Sequence, residues 1–351
     1  MKTSEFASIL PSLPRGAEVL IIRLRSLGDV VMLTPALAAL HSWRPDLRLC
    51  VVVEPAFAAV LEGNPAVSEV IRFDGVMSAA RRLRSRRFPV TFNQHGGPTS
   101  ALLTAAVASP VRVCWEHCQF GFFYNVRVAD REPTAPERRP HTVEHRLLQF
   151  YAAGLPRGPI PRPQVFPQSP AVLSVTEKLR AGGWRAEAPY CVVHPGAAYF
   201  TKRWSLQGFA GVVNELKARH GLEAVVVLGP GDGEIHAAAA KQFAKLAPVL
   251  DSLTLPELIA LAAGARLFLG NDSGPAHVAA AAGCPVAVVF GSSDSSTWRP
   301  WQTPHRVVQN DFPCNPCRGD RCYAFDEPRC ILSITPEQVR AACDSLLAET
   351  E

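Results

Sequence analysis

LFLGNDSGPAHVAAAAGCPVAVVF, residues 267–290, reads as one strand–turn–helix–strand unit. Leu267–Leu269 is apolar and runs into Gly270-Asn271-Asp272-Ser273-Gly274-Pro275, a cluster that ends a strand. Pro275 suits the first turn of a helix, and the small residues Ala276–Ala282 let that helix lie close to a sheet. Pro285–Phe290 is apolar and β-branched again. Short apolar strands alternating with helices make a parallel sheet covered on both faces, so the stretch sets the fold class as α/β.

The pattern repeats in both directions. Upstream, Tyr190–Val193 is a strand, Leu206–His220 a helix ended by Gly221, and Ala224–Leu228 a strand. A Gly-rich turn, a helix near Glu234–Leu246 and a short helix at Leu255–Ala263 follow. The first half carries its own set. Val19–Leu24 (VLIIRL) is a buried strand, and Ser26-Leu27-Gly28-Asp29 turns into a helix over Val30–Ser42 whose regular part begins at Thr34-Pro35. Leu49–Val53 and Val70–Phe73 are further strands. Between the halves, Arg127–Pro170 is rich in proline and charge, with one helical period at His141–Gly154. Leu155–Pro170 (LPRGPIPRPQVFPQSP) is a semi-rigid linker. These signals give an N-terminal domain over 1–165 and a C-terminal domain over 166–335. Two such halves put a cleft between the carboxyl ends of their sheets, where ligands of open α/β sheets bind.

The 351 residues are 48% hydrophobic and 19% charged, enough apolar side chain for two cores and too little charge for a disordered chain. No apolar run reaches the roughly 20 residues of a membrane helix; the longest, Val278–Phe290, is broken by Gly283 and Pro285. Met1–Arg15 has neither signal- nor transit-peptide character, so the expected location is the cytoplasm. Residues 1–165 hold 20 Lys+Arg against 13 Asp+Glu, and residues 166–351 hold 16 against 18. The basic first half expects an anionic partner: nucleic acid, an acidic lipid surface or a phosphorylated saccharide.

Several segments carry chemistry-bearing residues. Gly28 permits a tight turn, and Asp29 at the helix start is either a cap or, if its pKa is raised, a general base. His194-Pro195-Gly196-Ala197 and Thr201-Lys202-Arg203-Trp204 follow a strand; Lys202 and Arg203 can neutralise a diphosphate, or simply form a basic helix entry above a core Trp. In the deciding stretch, the amides of Ser273, Gly274 and Ala276 are expected to point outward as an anion site, with His277 more often a core or capping residue than a catalyst. Gly229–Glu234 is a Gly-rich turn in which Asp232 and Glu234 suit sugar or ribose hydroxyls better than phosphate. The run Arg81–Arg87 reads as a solvated helix face, or else as a contact to lipid or phosphate. The chain lacks Asp-x-Asp, the pair that often holds a divalent cation on a nucleotide-sugar diphosphate, so no metal dependence is expected.

Cys50, Cys191 and Cys284 lie in or beside apolar strands and read as buried thiols; Cys114, Cys118 and Cys343 are scattered. Cys314-x2-Cys317-x4-Cys322-x7-Cys330 could chelate zinc or an iron–sulfur cluster. The spacing fits no standard zinc pattern well, and reduced or structural thiols are the expectation, with no metal site.

Together the segments IIRLRSLGDVVMLTPAL (Ile21–Leu37), HPGAAYFTKRW (His194–Trp204), GNDSGPAHVAAAAGCPVAVVFG (Gly270–Gly291), CNPCRGDRC and ILSITPEQV (Ile331–Val339) resemble glycosyltransferase family 9, the ADP-heptose:lipopolysaccharide heptosyltransferases. The resemblance runs in order over nearly the whole chain. It implies the GT-B fold, two Rossmann-like domains facing across a cleft, with acceptor on the first and nucleotide-sugar on the second. It also implies that the final helix, within 336–351, packs back on the N-terminal domain. The implied reaction is an inverting, metal-independent transfer of heptose from ADP-heptose to the lipopolysaccharide inner core, without cofactor. Another nucleotide-sugar donor, or a non-catalytic saccharide-binding role, are the alternatives. Carried over, Asp29 matches the catalytic base. Lys202, with Thr201 beside it, matches the diphosphate side. Asp272, Ser273, Gly274, Pro275 and His277 match the nucleotide-diphosphate segment, and Asp232 or Glu234 the ribose carboxylate. The implied partners are a nucleotide-sugar and an anionic lipopolysaccharide core, with peripheral contact at the inner membrane and no nucleic acid. A nicotinamide oxidoreductase is disfavoured, since Arg25-Ser26-Leu27-Gly28 stands where a G-x-G-x-x-G would follow the first strand.

Overall fold

The structure, a computed structural model, describes residues 6–131, 137–184 and 188–350. Parts of the N-terminal segment and of the Arg127–Pro170 stretch therefore lie outside the described residues. The chain divides into two compact units, Met1–Phe166 and Pro167–Glu351.

The first unit is built on six parallel strands: β1 (Glu18–Ile22), β2 (Arg48–Val53), β3 (Glu69–Arg72), β4 (Val90–Asn93), β5 (Val111–Trp115) and β6 (Val126–Val128), in the order β3-β2-β1-β4-β5-β6. The second repeats it with β7 (Tyr190–His194), β8 (Glu223–Val227), β9 (Val249–Leu250), β10 (Leu267–Asn271), β11 (Val286–Val289) and β12 (His305–Val308), ordered β12-β11-β10-β7-β8-β9. Each is the doubly wound order in which the winding direction reverses beside the first strand, so a crevice opens at the carboxyl ends of β1 and β4, and of β7 and β10. The central strands are buried on both faces: β7 (YCVVH) and β10 (LFLGN) are buried throughout, with the polar His194 and Asn271 confined to their carboxyl ends.

Local chemistry sets the helix ends. Ser205 Oγ accepts from the Gly208 amide at 3.0 Å to open Leu206–His220, and Gly221 closes it at φ +61°. Thr254 and Glu257 form a capping box on Leu255–Ala263, as do Thr335 and Gln338 on Pro336–Glu349. Two expected elements differ. The helix expected over Val30–Ser42 is two pieces, Leu27–Val31 and Thr34–Trp43, because Pro35 cannot donate into a continuous ladder. The helix expected at Glu234–Leu246 begins as a 3-10 turn, Pro230–Ile235, and is α-helical only over His236–Phe243, since two glycines weaken its start. The final helix buries Val339, Cys343, Leu346 and Leu347 in the C-terminal core with Val193, Leu216 and Val289. That part of its apolar face is used within its own unit.

Candidate functional site

In the N-terminal unit the chain leaves β1 through Arg23, and Ser26 opens the short helix that carries Asp29. Ser26 Oγ donates to Asp29 Oδ2 at 2.9 Å and the Ser26 amide lies 3.4 Å from the same oxygen, so Ser26 is the N-cap and Asp29, expected there as the cap, is the third helical residue and closes a capping box onto Ser26. Two arginines complete the shell. Arg23 Nη2 stands 2.5 Å from Asp29 Oδ2, and Arg146 Nη2, from the helix Thr142–Ala152, donates to Oδ1 at 2.7 Å. Arg23 also donates to Gln94 O at 2.5 Å, just beyond β4, and Gln94 Nε2 returns to Arg146 O at 3.1 Å. The carboxylate therefore sits at the β1/β4 switch point, clamped by Arg23 from the end of β1 and Arg146 from one helix, both of which are braced by Gln94 O beyond β4.

This clamp decides the state of Asp29. Burial alone would raise its pKa, but the charges of Arg23 and Arg146 and the Ser26 hydrogen bonds outweigh that and hold the carboxyl far below its usual range. The raised pKa that a general base would have is absent. Burial and the neighbouring Arg146 push the Arg23 guanidinium down to about 9, still a cation at neutral pH. Burial and the cations Arg23 and Arg25 push His95, on the β4 side, down to about 4, so it is a neutral imidazole. Arg23, Gln94, His95 and Arg146 went unread in the sequence. A charged residue inside the apolar run VLIIRL was the only local signal, and it points to Arg23.

In the C-terminal unit three strand ends meet. Lys202 Nζ donates to Asp272 Oδ2 at 2.8 Å, joining the loop after β7 to the loop after β10. His194, the last residue of β7, bridges two more elements: its Nε2 is 3.2 Å from Asp232 Oδ2 and its Nδ1 3.3 Å from Ser273 Oγ. Asp232 is buried and also accepts from the Gly229 amide at 2.7 Å. Burial would raise its pKa, but the His194 and Gly229 contacts lower it, so it is ionised. Gly196 passes so close that a Cβ there would lie 2.0 Å from Asp232 Oδ1. Glu234, by contrast, has a side chain 79% exposed and is paired with Arg203 at 2.6 Å. Of the two carboxylates, Asp232 is the buried one, held between His194 and the Gly229 amide. Thr201 is buried, donates to Gly319 O and lies 3.3 Å from Ser292 Oγ.

Ser273 precedes the helix Gly274–Ala281, at the β7/β10 switch point, and His277 is buried within it. The expected trio of outward amides is reduced, because the Ala276 amide donates to Ser273 O at 3.2 Å. Pro275 has no N–H, so of the expected trio the Ser273 and Gly274 amides remain at the helix start. The arrangement offers a cation, a helix start and a buried carboxylate around one strand-end crevice, the set that a nucleoside diphosphate needs. Among the described residues no three His, Cys, Asp or Glu side chains already surround a common point at metal-binding distance.

The sequence model of glycosyltransferase family 9 (heptosyltransferase) matches residues 76–325. The chain belongs to glycosyltransferase family 9. This family 9 enzyme is 26% identical over 341 residues to lipopolysaccharide heptosyltransferase 3 of Escherichia coli, covering 91% of this chain and 96% of that one. It is 25% identical to lipopolysaccharide heptosyltransferase 2 of E. coli K12, covering 95% and 99%. Its fold is that of a solved family 9 glycosyltransferase from Veillonella parvula, with TM-score 0.81, 20% identity and coverage of 98% and 99%. E. coli ADP-heptose lps heptosyltransferase II aligns with TM-score 0.76, 22% identity and coverage of 95% and 99%. The architecture is GT-B, and the protein is a glycosyltransferase.

The remaining cysteines divide by environment. Cys50, Cys191 and Cys284 are buried free thiols, and burial pushes the first two up to about 11 and about 12. Cys114 and Cys118 are joined as a disulfide, a pairing the sequence did not signal.

Proposed function

We infer that this glycosyltransferase moves a heptose from ADP-heptose to an anionic lipopolysaccharide inner-core acceptor. The observation that carries the reading is the C-terminal switch point, where Lys202, the start of the helix Gly274–Ala281 and the His194–Asp232 pair converge in a family 9 chain. Relatives named as lipopolysaccharide heptosyltransferases support the acceptor class, and a solved E. coli heptosyltransferase with ADP supports the nucleotide.

The donor diphosphate lies against Lys202 and the Gly274 amide, with Thr201 beside it, and competes with Asp272 for the lysine. Asp232, held by His194, accepts from ribose hydroxyls. The acceptor hydroxyl hydrogen-bonds Asp29. As its oxygen attacks the anomeric carbon from the face opposite the diphosphate, the C–O bond to the leaving phosphate breaks and the configuration inverts. The hydroxyl proton passes to Asp29 and the bond's electron pair leaves with the diphosphate, whose growing charge Lys202 and Gly274 stabilise. A carboxylate of depressed pKa is a weak base, so proton transfer comes late, once the attacking oxygen has turned acidic by bonding to carbon. Arg23 and Arg146 fix the orientation of Asp29 and add positive potential for acceptor phosphates. Part of the arginine run is committed elsewhere, Arg86 to Glu18 and Glu69 and Arg82 to Asp74. The exposed Arg81, Arg84 and Arg87 are left to face an anionic membrane surface.

The test is a panel of ADP-, GDP- and UDP-sugars with lipopolysaccharide inner-core acceptors truncated at successive positions, read as nucleoside diphosphate released. ADP-heptose is expected to turn over fastest, at a rate that added Mg2+ does not change. Faster release from a GDP- or UDP-sugar would replace the donor assignment. Release with none of them would remove the transfer reading.

A further inference from the structure

The C-terminal unit contains a long segment with no core of its own. Between β12 and the short helix Arg329–Leu332, residues 309–328 form neither helix nor strand, and only Gly319 and Pro328 among them are buried. A structureless run of that length is uncommon inside a compact unit and needs some other means of holding its shape. Its first two residues are tied down, Gln309 to Gly291 O and Ser293 O and Asn310 to Ser333 and Gln338, and the part around the cysteines has further anchors. The Cys317 amide donates to Ser292 O at 3.0 Å, Asn315 Nδ2 to Gly291 O at 2.8 Å, and Thr201 Oγ1 to Gly319 O.

The same segment gathers four thiols. Cys314, Cys317, Cys322 and Cys330 are all free, and all four line one cavity of about 250 Å3 together with Thr201 and Ser292. Each of the other three sulfurs is near enough to Cys330 to act on it electrostatically. They stand back around a shared space and are not drawn onto one point, in keeping with a loop that closes as it binds. Four thiols about one cavity, in a segment with neither disulfide nor apolar core, are the donor set of a soft, thiophilic metal.

We propose that Cys314, Cys317, Cys322 and Cys330 hold a structural metal centre, iron or zinc bound by four thiolates, that staples this loop against Thr201. On binding, each thiol gives its proton to solvent as its sulfur bonds to metal, and Arg321 on the same wall offsets part of the negative charge. The centre touches neither substrate. It fixes the wall on which Thr201 sits, one residue from Lys202, and so acts on the donor site through position.

The test uses the full chain, purified anaerobically, and reads metal content, acid-labile sulfide and Co2+ binding, none of which depends on transferase activity. About one iron or zinc per chain without sulfide supports a mononuclear site, and iron with matching sulfide supports a cluster on the same four ligands. Metal-free protein is expected to take up Co2+ with the visible bands of a tetrahedral thiolate complex. Cys317→Ser and Cys322→Ser should lose metal and speed amide exchange over residues 309–330, whereas Cys50→Ser, in the other unit, should keep it. If the serine variants fail to fold, the Co2+ titration of the unaltered chain decides. Protein that carries no stoichiometric metal, gives no thiolate bands with Co2+ and exposes four promptly reacting thiols would overturn the proposal.

Discussion

Asp29→Asn keeps the shape of the side chain and removes its charge, which makes it a direct probe of the clamp. The carboxylate is 16% exposed and its partners Arg23 and Arg146 are 7% and 9% exposed. Losing one partner of a buried ion pair costs about 3–5 kcal/mol, mostly because the remaining charge is stranded. Here Arg23 and Arg146 both still donate to Gln94 O, at 2.5 and 3.3 Å, so the lower end, about 3 kcal/mol, is the appropriate figure. For a unit of this size that corresponds to a fall in Tm of about 6–12 °C. Thermal and urea melts followed by circular dichroism would measure it, alongside nucleoside diphosphate release. The double variant Asp29→Asn/Arg146→Gln removes one of the two stranded cations and should melt above Asp29→Asn alone, yet transfer no sugar. If Asp29→Asn melts like the parent, the ion pairs contribute nothing and the electrostatic account of the site is wrong. If it transfers sugar at the parent rate, Asp29 takes no proton.

Other expectations follow from the same geometry. Because Arg23 and Arg146 hold Asp29 ionised, its stabilising contribution is complete above the unfolded Asp pKa of about 3.9 and is lost as pH falls further; acid melts of Asp29→Asn and parent should converge below that point. For the same reason kcat/KM of the parent should show no acid limb from Asp29 between about pH 5 and 8, and an acid limb near 6 would contradict the depressed pKa. Lys202→Met removes the cation facing the diphosphate and should lower transfer by about 10²–10³-fold, with little recovery in Lys202→Arg because a guanidinium fork does not reproduce the point charge; steady-state kinetics would register it. Gly196→Ala places a methyl group 2.0 Å from Asp232 Oδ1, so Asp232 must move off His194. Nucleotide binding by calorimetry should weaken, and unchanged binding would remove Asp232 from the donor site.

The sequence was most legible where the chemistry is local. The helices Leu206–His220 and Leu255–Ala263 are present over the residues expected: Gly221 was read as the stop of the first, and Ser205, Thr254 and Glu257 cap the two starts through contacts only two or three residues long. The strands from β4 to β6 went unread: they are three to five residues long, and β4 carries Thr91 and Asn93 in a short run with no strong apolar pattern. Asp232 and Glu234 could not be separated in sequence, since both sit in one glycine-rich turn. His194, 38 residues from Asp232, selects between them.

Read alone, the residues determined the α/β class, the duplicated architecture and which segments carry the chemistry, because alternation of apolar runs, caps and glycine turns acts over a few positions. The protonation state of Asp29 was decided by tertiary structure. One of the charges that sets it comes from Arg146, 117 residues away along the chain, and a carboxylate's pKa depends on distance in space and burial, which no local pattern encodes.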